Sequence, residues 1–176
     1  AEQSGRLRIA ASFTIAEYLL PQWLGRFARA HPGDSVALEV ANSTSVIERL
    51  RDGGADLGFI ETTSSLPDLE EQLVGTDELI AVVGPTHPWA KRRTVPVEAL
   101  AATPLVTREA GSGTREALED ALAALDLGPP TAVLELGSTS AVRSAVLDAN
   151  SPTVISRLAV AAELTLTVPV AVKDDA

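Results

Sequence analysis

Cysteine and methionine are both missing from this 176-residue sequence, and histidine occurs only twice. Without cysteine there is no disulfide and no thiolate metal site. His31 and His87 both stand directly before a proline, in turn-like sequence, which argues against a histidine metal centre or a catalytic triad. Aromatic residues are scarce too: Trp23, Trp89, Tyr18, Phe13, Phe27 and Phe59 complete the set, so any core must be mostly Ala, Val and Leu. No apolar run approaches the roughly 18 residues that a membrane span needs. Residues 1–6 lack the apolar stretch of an export signal, although a mature exported protein would look the same. With no Met even at position 1, the chain is expected to be a fragment or processed form of something longer. Basic residues are outnumbered, 14 Lys and Arg against 24 Asp and Glu, for a net charge of −10. That balance disfavours nucleic acid as a partner of this segment, since phosphate contacts need a basic face. Positive charge is local: Lys91-Arg92-Arg93 reads as a solvated loop, whereas Arg108, Arg115, Arg143 and Arg157 lie near helix starts.

What the sequence does have is one pattern used four times. A β-like apolar run ends, a Ser/Thr cluster follows, and an amphipathic helix begins. The clusters are Ser12-Phe13-Thr14 after Leu7–Ala11, Asn42-Ser43-Thr44-Ser45 after Val36–Val40, Ser112-Gly113-Thr114 after Pro104–Thr107, and Ser138-Thr139-Ser140 after Ala132–Leu136. Hydroxyls at such positions cap the free N–H groups of a starting helix. Helix N-termini at the carboxyl ends of sheet strands also suit a small polar or anionic ligand. Both readings stay open from the residues alone.

Periodicity supplies the frame. Leu7–Ala11 is a short buried strand. Ile15, Ala16, Leu19, Leu20, Trp23, Leu24, Phe27 and Ala28 recur at helical spacing, with Pro21 expected near the start of the main helix. Val36–Val40 is a second strand. Ser45-Val46-Ile47-Glu48 fits a capping box for a helix running to about Asp52, where Gly53-Gly54 stops it. Asp56–Glu61 completes β-α-β-α-β, the opening of a parallel doubly wound sheet. Leu69–Val74 and Leu79–Val83 read as further strands. A second unit follows: helix Val97–Ala101, strand Leu105–Thr107, helix Thr114–Leu125, strand Val133–Leu136, helix Thr139–Leu147, strand Thr153–Ile155, helix Leu158–Leu164 and strand Leu166–Val172. A seam near Gly84-Pro85 with a return near Ile155 suits a two-lobed fold.

The chain resembles the effector-binding domain of LysR-type transcriptional regulators. Arg6–Ser12 is similar to that family's first strand, and Tyr18-Leu19-Leu20-Pro21 with Phe27 and His31-Pro32 to its first helix. Gly53–Gly58 resembles the entry to its third strand, Glu78–Val83 with His87-Pro88 its first crossover, and Pro152–Ser156 its return crossover. Thr107–Arg115 resembles a segment found in a subset of these regulators. The resemblance implies an α/β, periplasmic-binding-protein-like fold of two Rossmann-like subdomains, 1–84 plus 156–176 and 85–155, joined by two crossover strands with a small effector between them. It also implies a cytoplasmic homodimer or homotetramer that touches DNA only through an N-terminal winged helix-turn-helix absent from this chain, and no membrane. The part after Leu164 is shorter than the family's usual layout.

On this reading Ser12, Phe13 and Thr14 meet the effector from the first lobe, with Ser43, Thr44 and Glu61 beside them. Thr107, Arg108, Ser112, Thr114 and Arg115 would serve from the second, with Ser138, Thr139 and Ser156 at the next helix start and the return crossover. An Arg beside a Gly-flanked helix start suits a carboxylate, sulfate or phosphate; ion pairs of Arg108 with Glu109, or of Arg115 with Glu116, are the plainer alternative. The family's pairing of helices 21–30 and 114–125 makes Leu20, Leu24, Ala121 and Leu125 candidate dimer contacts, burial within their own lobe being the alternative. No catalytic residue, metal ligand or cofactor is expected, because no acid–base pair clusters in the sequence. Gly111-Ser112-Gly113 lacks the further glycine of a nucleotide fingerprint. A solute-binding protein of a transport system would share the fold and the hydroxyl-rich helix starts.

Overall fold

A computed structural model describes residues 5–160, 166–168 and 170–171. The chain packs as two compact units, the first running to Gln72 and including Gly111–Gly113, the second comprising Leu73–Ala110 and the chain from Thr114 onward.

In the first unit, strand β1 (Arg6–Ser12) is followed by helices α1 (Phe13–Tyr18) and α2 (Leu20–Ala30). Pro21 lies in the first turn of α2, where its missing N–H costs nothing. Strand β2 (Ser35–Ala41), helix α3 (Ser43–Arg51) and strand β3 (Leu57–Phe59) follow. The sheet runs β2-β1-β3 with both pairings parallel, Ser12 opposite Ala41 and Ala11 opposite Phe59. Being central, β1 is buried on both faces, and strand alternation sorts its side chains. Ile9 and Ala11 pack with Ile15, Ala16 and Leu20, while Ala10 turns to Val46 and Ala55. The rim of this unit is pinned by Arg8, which donates to Asp56 and to the Gly53 carbonyl.

The expected strand at Leu69–Val74 does not form. Residues 60–78 carry no regular strand, and Leu73 is 82% exposed. Strands need a ladder partner, and among the described residues this stretch has none. Glu71 instead accepts from the Leu66 N–H and the Ser65 hydroxyl, closing a local turn.

The second unit starts with β4 (Leu79–Val83), a short 3-10 turn (Pro88–Lys91), β5 (Val95–Pro96) and α4 (Val97–Ala102). Strand β6 (Leu105–Arg108), helix α5 (Gly113–Ala123), strand β7 (Ala132–Leu136), helix α6 (Thr139–Ala149) and strand β8 (Thr153–Ser156) come next. A 3-10 turn (Arg157–Val160) stands where a helix to Leu164 was expected; the remainder of that helix lies outside the described residues. The expected last strand is described as β9 (Leu166–Val168) and β10 (Val170–Ala171). Strands β6 and β7 pair in parallel, β4 pairs antiparallel with β8 and β9, and β5 pairs with β10. These antiparallel ladders gather residues 79–83 and 153–156 into one unit, so the compact grouping does not follow boundaries at 84 and 156. The core is Val83, Trp89, Val95, Val97, Leu100, Leu105, Leu118 and Leu122.

Candidate functional site

The carboxyl ends of β2, β1 and β3 bring three polar side chains to one end of the first sheet. Ser12 closes β1, Ser43 follows β2, and Glu61 follows β3. Ser12 and Ser43 are only 3% and 2% exposed. Among the described residues, Ser12 Oγ, Ser43 Oγ and Glu61 Oε1 are buried without a hydrogen-bond partner.

Neither serine is a helix cap. Ser12 stands at the N-cap position of α1 but makes no side-chain cap bond. At α3 the cap is Asn42, whose Oδ1 accepts from the Ser45 N–H at 2.9 Å. The cap expected at Ser45 therefore lies three residues toward the N-terminus, at Asn42. Ser45 is the recipient of the cap, because the helix begins at Ser43.

Residues 111–113 complete this end of the unit. The Gly111 carbonyl accepts from the Thr44 N–H at 3.1 Å, so a second α3 donor is already engaged. Gly111 has φ +87°, a conformation open to glycine. A Cβ on Gly113 would overlap the Glu61 carbonyl oxygen and lie 2.8 Å from Ser43 Oγ. The two glycines of Gly-Ser-Gly thus answer a demand of local backbone geometry and packing. Thr14 and Ser112 are buried in this unit, Phe13 is half-buried and Thr44 exposed.

The second unit's candidates have partners of their own. Arg108, 4% exposed, donates from Nε and Nη2 to both carboxylate oxygens of Glu109 and from Nη1 to Thr139 Oγ1 at 2.9 Å. Arg115 pairs with Glu119 and Glu135 and donates to the Arg108 carbonyl. The pairing is with these two acids, not Glu116, because Glu119 lies one turn along the helix and Glu135 on neighbouring β7. Glu119 and Glu135 hold the Arg115 guanidinium pKa above its ordinary value. Thr107 donates to the Leu134 carbonyl, Ser138 caps α6 through the Ala141 N–H, and Ser156 accepts from the Leu158 N–H. Thr107, Arg108, Thr114 and Arg115 line one small cavity with Leu105, Leu118 and Val154. So one serine-and-carboxylate group is left unpartnered in the first unit, whereas most of the second unit's hydroxyls and both arginines serve its framework.

Of the candidate contacts to a second chain, Leu20 is 1% exposed in its own core, and Leu24 packs against that core. Leu20 therefore presents no surface, because it fills the space between β1 and α2. Ala121 and Leu125 are exposed. Sequence reasoning passed over Leu38 and Val40 on β2 and Val133 and Leu134 on β7, all exposed apolar residues on strands. Their signal was large apolar residues two apart on one face of β2 and adjacent on β7. Among the described residues no group of three or more acidic or histidine side chains is placed to hold a metal, and no helix is long and apolar enough to cross a membrane.

A parallel sheet whose carboxyl end carries buried, unpartnered polar groups defines a small-ligand-binding α/β class. The comparisons name it: the model of the LysR substrate binding domain matches residues 1–172, and the chain belongs to that family. Its fold class is the periplasmic-binding-protein-like α/β fold of these effector-binding domains. An uncharacterized HTH-type transcriptional regulator of Mycobacterium tuberculosis is 45% identical over 168 residues, 90% of this chain and 54% of the relative. The HTH-type transcriptional regulator CysL of Bacillus subtilis is 36% identical over 153 residues, 87% of this chain and 51% of the relative. The chain thus spans about half the length of the curated relatives it matches. The solved regulatory domain of CcmR from Synechocystis, in complex with 2-PG, superposes with TM-score 0.80 at 28% identity, covering 95% of this chain and 81% of that one.

Proposed function

We propose that this domain is the sensor of a cytoplasmic LysR-type transcriptional regulator, binding a small polar effector at the carboxyl end of the β2-β1-β3 sheet. The observation that carries it is the pair of buried hydroxyls, Ser12 and Ser43, that cap nothing. A buried polar group left unpaired costs about 1–3 kcal/mol, which a ligand hydrogen bond returns. Phe13, Thr14, Thr44 and Ser112 shape the same end of the unit. Thr107 and Thr114 are the second unit's candidate contacts, with Arg108, Arg115, Ser138, Thr139 and Ser156 holding their surroundings. The CcmR domain's complex with 2-PG supports a small acid as the class of ligand. In the full-length regulator, an effector that binds one conformation better shifts the population toward it, and the change reaches a DNA-binding segment outside this chain. Homodimers or homotetramers are the proposed assembly, with the exposed apolar residues of β2 and β7 joining Leu24, Ala121 and Leu125 at the contact. A transporter's solute-binding protein is not favoured, since the LysR family model matches residues 1–172.

The test is thermal unfolding of the chain against sulfate, phosphate, acetylserine, sugar phosphates and aromatic acids. A ligand at about 100 times its Kd adds roughly 2.7 kcal/mol of stability. The expected result is a saturable rise in midpoint that Ser12→Ala and Ser43→Ala both weaken. A rise that survives both substitutions would place the ligand elsewhere.

A further inference from the structure

We infer that Glu61 makes this domain selective for effectors that carry a hydrogen-bond donor, a hydroxyl or a protonated amine, beside their acid group. The inference rests on the effector-binding reading above and narrows its ligand. The carboxyl end of the first sheet holds two kinds of unpartnered group. Ser12 and Ser43 hydroxyls both donate and accept, and so suit either end of a polar ligand. Glu61 is different, because an ionised carboxylate only accepts. Its Oε1 is shielded from solvent and has no partner among the described residues.

Two N–H groups at the start of α3 are already committed elsewhere. The Thr44 N–H at the start of α3 goes to the Gly111 carbonyl, and the Ser45 N–H goes to Asn42. Gly113, which brings no side chain, packs against the Glu61 backbone. A ligand offering only acceptors would set lone pairs against Glu61 Oε1 and leave the charge uncompensated. A ligand with one donor satisfies it, while its acid group takes the serine hydroxyls. Small hydroxy acids and amino acids have this pairing of groups on adjacent carbons.

The experiment compares two sets of small acids matched in size, using thermal unfolding and calorimetric titration of the chain. One set carries the donor on the carbon beside the acid group (glycerate, serine, mandelate); the other has hydrogen in its place (propionate, phenylacetate). Saturable binding confined to the donor set is expected. Glu61→Leu should weaken that binding roughly tenfold to a hundredfold, the value of one hydrogen bond to a charged group. The ligand-free midpoint of the same variant should stay level or rise, since the buried Oε1 has no partner to lose among the described residues. Glu61→Gln, which keeps an acceptor oxygen, should retain hydroxy acids better than amino acids. Saturable binding of the donorless acids that Ser12→Ala and Ser43→Ala weaken would overturn the role of Glu61 and leave the effector site standing. Binding indifferent to all three residues, or no response to either set, would overturn both.

Discussion

Arg108 and Glu109, neighbours in the chain, face each other through two parallel hydrogen bonds, Nε to Oε2 at 2.8 Å and Nη2 to Oε1 at 2.9 Å. The guanidinium is 4% exposed and its partner 21%, so the cation is the more deeply desolvated of the two. A buried pair adds little when intact, yet removing one partner strands the other. Glu109→Gln should therefore destabilise the chain by about 3 kcal/mol in urea unfolding. Adding Arg108→Met to that variant should recover part of the loss, because the stranded charge is gone. Equal or greater loss in the double variant would show that Arg108 acts mainly through Thr139 and its other contacts.

Asn42 and Ser45 separate two accounts of one helix start. If Asn42 is the cap, Asn42→Ala costs about 1 kcal/mol. In a domain of this size that lowers the midpoint by roughly 2–4 °C. Ser45 receives the cap through its backbone N–H, so Ser45→Ala should change stability by less than about 0.5 kcal/mol. The reverse order would restore the Ser45–Glu48 capping box.

This helix also shows what was legible in the residues. The unbroken apolar run Ile9-Ala10-Ala11 announced a buried strand, and the helical spacing of Ile15, Ala16 and Leu20 announced what covers it. Such signals are strong because each position obeys the packing of one sheet. The helix start was harder to read, since Asn42, Ser43 and Ser45 are all good caps and only backbone geometry chooses among them. At Leu69–Val74 the apolar content suggested a strand, but no neighbour among the described residues offers a ladder. Within the candidate site, Ser12, Ser43 and Glu61 were legible as residues at strand ends. That their polar atoms go unpartnered while Ser138 and Ser156 bond internally depends on tertiary placement, which spacing does not encode. The same holds for Arg108, whose pairing with Glu109 depends on which group shares its burial.

His87 provides a pH signature. Its Nδ1 accepts from the Trp89 N–H at 3.1 Å, and its ring meets that of Trp89 edge-on at 5.1 Å. Burial holds the imidazole pKa below its ordinary 6.5. Above that value the ring is neutral in both folded and unfolded chains, so stability is unaffected. As pH falls below it, the unfolded chain takes up a proton that the folded chain resists, and stability declines until the folded ring also titrates. His87→Gln should flatten the midpoint's fall between about pH 6.5 and 5 relative to the parent chain. An unchanged slope would assign that fall to other groups.

Gly113 tests whether residues 111–113 are truly seated in the first unit. An added Cβ there overlaps the Glu61 carbonyl, and a backbone atom has little freedom to withdraw. Gly113→Ala should cost about 1–3 kcal/mol, the usual range for overpacking a closed space. At Gly128, by contrast, a new Cβ meets nothing within 4 Å. Gly128→Ala should leave stability level or raise it by about 0.4–1 kcal/mol, through a less flexible unfolded chain. Chemical denaturation of the two variants separates packing from chain entropy. Should Gly113→Ala match Gly128→Ala, the contact of residue 113 with Glu61 is not part of the folded state in solution. The shielding of Ser43 beneath it would then have to come from elsewhere.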